Sequence, residues 1–372
     1  MATASETIRL LSPDGTLVES GTTEQLLPLI DALPEERLLD FHRQMAVTRR
    51  LDVEAGNLQR QGQLALWIPS VGQEGAQVGS GYAAREQDHI FPAYREHAVA
   101  RIRGVDLMRI IELLRGLDHG GWDPKAHGNF HLYTLVIGSQ ALHATGYAMG
   151  VGLDGASGTG DPDRDEAVMV YFGDGATSQG DVSEALVFAS SYQTPEVFFL
   201  QNNHWAISVP VSRQSRTPLV GRAAGFGIPG LRIDGNDVLA AYAVTRIALD
   251  DARSGKGPRF IEALTYRIGA HTTSDDPTKY RDEAELEYWT ARDPITRYEA
   301  YLRGRGVGEA FFAEVREEGE ALAADMRRRT LALPPPPASK IFEHVYSDPH
   351  PLVAEQREWL ELYERSFEGG EA

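Results

Sequence analysis

No cysteine occurs among the 372 residues. Disulfides, thiolate nucleophiles, cysteine-based zinc sites and iron–sulfur clusters are therefore excluded together. If the chain takes part in a redox reaction, the electrons must pass through an organic cofactor or another polypeptide. Basic residues are also scarce, 36 against 54 acidic ones, for a formal charge of −18. A surface of that sign repels phosphate backbones and anionic lipid, which argues against nucleic-acid binding. An anionic ligand has to be held by local devices: a helix N-terminus, a metal ion or a few placed arginines. Long apolar runs are missing too, and no stretch reaches the length needed to span a bilayer. Residues 1–10 lack the basic patch and apolar run of a secretory signal. The expectation is a cytoplasmic protein.

What is present reads as a globular α/β chain. Hydrophobic residues make up 42% and charged residues 24%, the balance of a packed domain. The length suits one large α/β domain with extensions, or two ordinary domains. Residues 1–35 are mixed and proline-punctuated, and are predicted to form a helical N-terminal arm. Over 34–63, Leu38, Leu39, Phe41, Met45, Val47, Leu51 and Leu58 recur at helical spacing. The glycine-rich segment 67–79 reads as a loop entering a helix, and 105–114 as a short helix. The run 167–172 is apolar and stopped by Gly-Asp-Gly, as expected of a buried parallel strand. A helix over 181–192 leads to a second buried strand at 196–200, stopped by Gln-Asn-Asn. Strands at 231–234 and 259–267 flank a helix over 238–253. This alternation predicts a doubly wound parallel sheet with helices on both faces. That domain is assigned to residues 36–300. Residues 301–372 form a charged, helical C-terminal extension, broken by the stiff spacer Pro334-Pro-Pro-Pro337. There is no internal repeat.

In open α/β sheets, ligands sit beyond the carboxyl ends of the strands. After the first strong strand stand Gly173, Asp174 and Gly175; after the second, Asn202 and Asn203. Neighbouring strands would place Asp174 and Asn203, two hard oxygen ligands, at one edge. Magnesium takes few protein ligands and completes an octahedron with phosphate oxygens and water. A carboxylate, an amide oxygen and a backbone carbonyl near Trp205 would serve as the protein's share. The flanking glycines let the backbone turn sharply and let a diphosphate approach. Each half alone is an ordinary turn former. Together, 29 residues apart with one helix and one strand between them, they make the thiamin-diphosphate motif.

The likeness extends beyond the motif. The run Phe172-Gly-Asp-Gly-Ala-Thr-Ser-Gln-Gly-Asp-Val-Ser-Glu-Ala and the run Gln201-Asn-Asn-His-Trp-Ala-Ile-Ser-Val-Pro resemble the 2-oxo acid dehydrogenase alpha subunits. So do Pro92-Ala-Tyr-Arg-Glu-His97, Ile233-Asp-Gly-Asn-Asp-Val238 and Tyr266-Arg-Ile-Gly-Ala-His-Thr-Thr-Ser-Asp-Asp-Pro-Thr-Lys-Tyr-Arg281. The blocks keep the family's order from about residue 35 to 300. The resemblance implies the diphosphate-binding half of a thiamin-diphosphate fold, in the E1 component of a pyruvate or branched-chain 2-oxo acid dehydrogenase complex. It implies thiamin diphosphate and Mg2+ as cofactors, with Asp174, Asn203 and the Trp205 carbonyl on the metal. Tyr94 and Arg95 match residues that contact the diphosphate, which suits an arginine in so acidic a chain. Gly173, Gly175 and Ala176 stand in the motif loop. Ser139 and Ala141, in Ile137-Gly-Ser-Gln-Ala-Leu, match positions around the aminopyrimidine. Gln201 stands among the cofactor-binding positions where some members carry an arginine.

His271 is the catalytic candidate, since it follows the 259–267 strand on the edge that carries the metal ligands. A histidine titrates near neutral pH and can stabilise or protonate a developing oxyanion. Its neighbours Thr272-Thr-Ser-Asp-Asp resemble a segment phosphorylated in some relatives. His119, His127 and His131 are spaced too loosely, with too few carboxylates, to predict zinc. Gly150-Val-Gly-Leu-Asp-Gly155 fits a dinucleotide fingerprint but follows a helix-like stretch instead of a strand, and is rejected. The small residues from Gly138 to Gly150 predict close helix packing, and Gly146-Tyr-Ala-Met-Gly150 resembles an element at subunit contacts in the family. No second α/β module is found to hold the aminopyrimidine. Its activating glutamate is therefore expected from a beta subunit in an α2β2 assembly, with the acyl group passing to a lipoyl-bearing E2 acyltransferase. The rival readings are an acetoin dehydrogenase-type alpha subunit, transketolase-like chemistry, and a degenerate scaffold. Intact Asp174, Asn203 and His271 weigh against the last.

Overall fold

The computed structural model describes residues 6–118, 121–343 and 345–367. The strands are β1 Thr7–Ile8, β2 His89–Phe91, β3 Val168–Gly173, β4 Glu196–Asn202, β5 Trp205–Ala206, β6 Val209–Pro210, β7 Gly230–Asp234 and β8 Arg259–Leu264. Six of them form one sheet in the order β1-β7-β8-β4-β3-β2, and every neighbouring pair is parallel. Only β5 and β6 pair apart, as a short antiparallel hairpin.

The apolar runs are continuous because both faces of the sheet are covered. Val168, Val170 and Phe172 point to one side, with Phe198, Leu200 and Phe260, against the helices Ser139–Leu153 and Gly180–Tyr192. Met169, Tyr171, Val197, Phe199 and Ile261 point to the other, against Glu35–Arg60, Glu74–Ala83 and Val238–Arg253. The last of these starts where the sequence puts it. Asp237 caps it, accepting from the amides of Leu239 (3.0 Å) and Ala240 (3.1 Å), which satisfies donors that a helix end leaves open.

The N-terminal arm departs from a purely helical extension. Besides the helix Gly21–Asp31, Thr7–Ile8 add a strand to the sheet beside β7. The reason lies in Asp237, whose second carboxylate oxygen accepts from the amides of Leu10 and Leu11, each at 2.6 Å. With both leucines fully buried, the arm is drawn into the core. Residues 1–5 of the arm and 368–372 of the C-terminal extension lie outside the described residues.

Beyond residue 301 two kinds of helix follow. Glu309–Ala332 buries Phe312, Val315 and Met326 in the main core. It is also tied to Glu35–Arg60 by Arg43 to Glu314 and Glu318, and by Arg327 to Glu54. Past the prolines, Pro351–Arg365 has no buried residue.

Candidate active site

The register of β3 against β4 pairs Gly173 with Gln201. Asp174 and Asn203, one and two residues further on, therefore leave adjacent strands at the same edge. Both line a cavity of ≈ 230 Å³, together with Tyr94, Arg95, Glu96, Trp205 and His271. Asp174 is 1% exposed and its carboxylate accepts from the Gln214 amide at 2.6 Å. Burial pushes its carboxyl up to about 6; the Gln214 bond and the more distant Arg267 and Arg95 pull the other way without cancelling it. A buried carboxylate answered mainly by a neutral amide is a seat for a cation.

Asn203 is held from two sides: its oxygen accepts from the Trp205 amide (3.3 Å) and its nitrogen donates to Gln73 (3.2 Å). Gln73 comes from the glycine-rich loop, which Asp52 fixes by accepting from Trp67 Nε1 and from the amide and hydroxyl of Ser70. That loop needs glycine at Gly72, where φ is +96° and a Cβ would stand 2.3 Å from the Tyr266 carbonyl. At Gly175 a Cβ would meet the Ala206 side chain at 2.8 Å, so the Gly-Asp-Gly turn lies directly on the β5–β6 hairpin. Ile207, also in the cavity wall, has φ +53°. A β-branched residue there carries strain of roughly 1–3 kcal/mol. Its carbonyl accepts from Arg267 Nη2 at 2.8 Å.

The cavity also holds positive charge. Arg95 donates to the carbonyls of Pro69 and His271, and its Nη2 lies 3.3 Å from His271 Nδ1. Arg267, fully buried, places Nη1 3.4 Å from the same nitrogen and 3.1 Å from the Trp205 carbonyl. Guanidinium groups only donate, so Nδ1 accepts and the imidazole proton sits on Nε2. Burial first, then these two cations, hold His271 down to about 4, against a smaller upward pull from Asp275. Asp275 accepts from the His271 amide at 2.7 Å and from the Tyr280 hydroxyl, and Arg267 donates to that hydroxyl at 2.8 Å. The result is a neutral imidazole on a tightly braced loop.

Of the residues expected from the sequence, Tyr94, Arg95, Gly173, Asp174, Gly175, Ala176, Gln201, Asn203, Trp205 and His271 line this one cavity. Ser139 and Ala141 are not in its lining. Ser139 donates to the Val136 carbonyl, and Ala141 is buried in the core. Successive helical residues point about 100° apart, and here Gln140 is the one turned to the cavity, with Ile137 just before the helix. Sequence reasoning also missed Gln73, Glu96 and Arg267. Glu96 and Arg267 stand inside quoted blocks and Gln73 in the glycine-rich segment, but nothing there says that Gln73 and Glu96 line the cavity or that Arg267 backs His271. Gly150 and Gly152 lie within the helix Ser139–Leu153, so the dinucleotide fingerprint has no strand–turn–helix context. His131 pairs with His89 at 3.1 Å while His127 bonds the Gly104 carbonyl; His119 lies outside the described residues. Among the described residues no cluster of three metal-ligating histidine or acidic side chains occurs. Among them, too, no helix is long and apolar enough to cross a membrane.

A parallel six-stranded sheet carrying this cavity beyond its carboxyl ends agrees with a family model described as dehydrogenase E1 component, which matches residues 42–324. The chain belongs to that family, which implies thiamin diphosphate as cofactor. Over 357 residues it is 42% identical to the 3-methyl-2-oxobutanoate dehydrogenase subunit alpha of Mycobacterium tuberculosis, covering 95% of this chain and 93% of that one. It is 37% identical over 343 residues to the pyruvate dehydrogenase E1 component subunit alpha of Acholeplasma laidlawii, covering 89% and 94%. A protein of the same name from Staphylococcus aureus is 34% identical over 356 residues, covering 95% and 92%. The chain is thus similar to 2-oxo acid dehydrogenase alpha subunits along nearly its whole length.

The residues present fit that cofactor. The cavity offers an under-answered carboxylate and an amide oxygen, and with them Arg95 and its imidazole neighbour. A diphosphate carrying a divalent cation matches this pairing of charges. Beside the cavity, Gln73 Nε2 and Gln140 Oε1 are buried without a partner, as polar atoms kept for a ligand would be.

Proposed function

We propose that this chain is the alpha subunit of a 2-oxo acid dehydrogenase E1 component, acting on a pyruvate-type or branched-chain 2-oxo acid. The observation that carries this reading is the convergence of Asp174 and Asn203, from adjacent strand ends, in one cavity with Arg95 and His271. Asp174, the Asn203 amide oxygen and the Trp205 carbonyl would hold Mg2+, and Tyr94 and Arg95 would face the diphosphate. Thiamin diphosphate supplies, when bound, the nucleophilic carbon that takes up the 2-oxo group and keeps the electron pair released with carbon dioxide. The chain's own part is to hold, orient and shield. His271, neutral with its proton on Nε2, can donate a hydrogen bond to an oxygen that gains charge. Ile137, Ala93, Ala206 and Ile207 give the cavity an apolar wall.

The net conversion consumes the 2-oxo acid and a lipoyl disulfide and yields carbon dioxide and an S-acyl dihydrolipoyl group. The disulfide takes the two electrons, in keeping with a chain that has no cysteine. The described residues form a single parallel sheet, so the aminopyrimidine and its activating carboxylate fall to a beta subunit. Tyr147, Leu153, Phe188 and Tyr192 on the helices Ser139–Leu153 and Gly180–Tyr192 are exposed, and offer an apolar face for such a partner. The test is reconstitution. The chain alone should not decarboxylate 2-oxo acids; with its beta partner, thiamin diphosphate and Mg2+ it should acylate lipoamide. Turnover by the chain alone would refute the reading, and kcat/KM for pyruvate against 3-methyl-2-oxobutanoate then assigns the substrate.

A further inference from the structure

Arg95 is the arginine in the cavity wall, and its backbone is enclosed by a ring of buried side chains. Glu96 folds back so that one carboxylate oxygen accepts from the Arg95 amide at 3.2 Å. Its other oxygen accepts from the side-chain amide of Gln201 at 2.6 Å. The Gln201 carbonyl oxygen accepts in turn from Gln77 Nε2 at 3.2 Å, and the same nitrogen donates to the Arg95 carbonyl at 3.0 Å. The ring thus runs from Arg95 N–H through Glu96, Gln201 and Gln77 back to Arg95 C=O. Gln77 is locked as well, since its oxygen accepts from the Ala98 amide at 3.2 Å. All three side chains are at most 3% exposed.

Both ends of the Gln201 amide are committed inside this ring, although the residue also borders the cavity. Meanwhile the Arg95 guanidinium is anchored to carbonyls of two other loops, at Pro69 and His271. We propose that Gln201 is a positioning residue that closes this ring around the Arg95 peptide and so aims the guanidinium at the anionic end of a ligand in the cavity. The inference rests on reading the cavity as a diphosphate site and adds how its arginine is held. Gln201 sits at the end of β4, two residues before Asn203, so one strand end fixes the anion-binding arginine and carries a proposed cation ligand. Charge-assisted bonds gain much of their strength from fixed geometry, and small misplacements are felt strongly in a preorganised site.

The test uses the assembled α–β enzyme and calorimetric titration with thiamin diphosphate plus Mg2+, and separately with inorganic pyrophosphate. Gln201→Met keeps the side chain's length and removes its amide; both probes should bind ~10-fold more weakly, the loss of roughly one hydrogen bond's worth of order. Arg95→Met should weaken binding more. In the Arg95→Met background, adding Gln201→Met should cost less than ~2-fold, because residues acting through one another are not additive. Gln201→Glu alone sets two carboxyls against each other, whereas Gln201→Glu with Glu96→Gln restores a carboxyl–amide pair with donor and acceptor exchanged. That double variant should recover to within ~3-fold of the parent, since the same kind of bond is rebuilt. Unchanged affinity in Gln201→Met would overturn the proposal. So would a full, additive loss on top of Arg95→Met, which is the mark of a direct contact. Should Gln201→Met fail to fold, the exchanged pair decides: recovery supports the ring, and binding as weak as Gln201→Glu alone overturns it. If the parent enzyme binds neither probe, the diphosphate reading falls and the ring's purpose with it.

Discussion

Two buried aspartates, one at each edge of the sheet, are held in opposite ways. At the amino edge, just before β2, Asp88 is fully buried and completely answered. It pairs with both Nε and Nη2 of Arg253 and accepts from the amides of Arg85 and Ala167. Beside it Arg103 donates to the carbonyls of Gly128, Arg85, Glu86 and Asp88. At the carboxyl edge Asp174 is as deeply buried, yet its carboxylate has a glutamine amide for a partner. Asp88 is thus satisfied within the chain, whereas Asp174 is left without a cation beside it. Glu196, fully buried at the amino end of β4 with only the Thr145 and Thr194 hydroxyls and pushed up to about 8, shows that such a shortage alone does not make a site. At Asp174 the shortage coincides with a cavity, and that combination marks the site.

The contrast can be broken by exchanging which edge is damaged. Asp174→Ala should abolish metal-dependent cofactor binding, a loss of more than ~100-fold, since even outer-shell partners of a metal cost 10–100-fold. Its thermal stability should be unchanged or higher, because an under-answered buried carboxylate is gone. Unaltered cofactor affinity by calorimetry would count against the site. Asp88→Ala should do the reverse, costing about 3–5 kcal/mol by leaving Arg253 only its outer partner Asp250 and the Arg85 and Ala167 amides without an acceptor, as urea denaturation would report; a stable variant would erase the distinction between the two aspartates. His271→Ala should lower kcat by about 10²–10⁴-fold in the reconstituted enzyme while the fold survives. A variant with normal turnover would remove His271 from the chemistry.

The smallest effect is one of pH. His271 is held at about 4 in the fold against 6.5 for an ordinary histidine. As pH falls, the unfolded chain takes the proton first, so stability is intact above 6.5 and drains away between 6.5 and 4. His271→Asn cannot take that proton. Between pH 6.5 and 4 it should lose less stability than the parent, by about 1–2 kcal/mol once partial exposure is discounted. Parallel stability curves for the two proteins would show that the imidazole is not held neutral.

Much of this architecture is written locally in the chain. The apolar runs that end in Gly173 and Asn202 are short and stopped by turn formers, as buried strands are, and Asp237 announces the helix that follows it. The N-terminal strand was not legible, because Thr7–Ile8 carry no pattern of their own and owe their place to Asp237, more than two hundred residues away. The sheet order was hidden for the same reason. In the site, Asp174 and Asn203 were readable because each directly follows a strand. Ser139 and Ala141 were expected in place of Gln140 because the phase of that helix is set at Gly138, with φ +93°, which the sequence does not state. The ring through Gln77, Glu96 and Gln201 joins three separate elements, and no local motif spells it out.

The most direct test is a crystal of the α–β enzyme grown with thiamin diphosphate and Mn2+ as an anomalous stand-in for Mg2+. The account predicts one strong anomalous peak within about 2.0–2.4 Å of both the Asp174 carboxylate and the Asn203 amide oxygen. A cofactor-bound structure with its cation elsewhere, and those two side chains turned away, would contradict it.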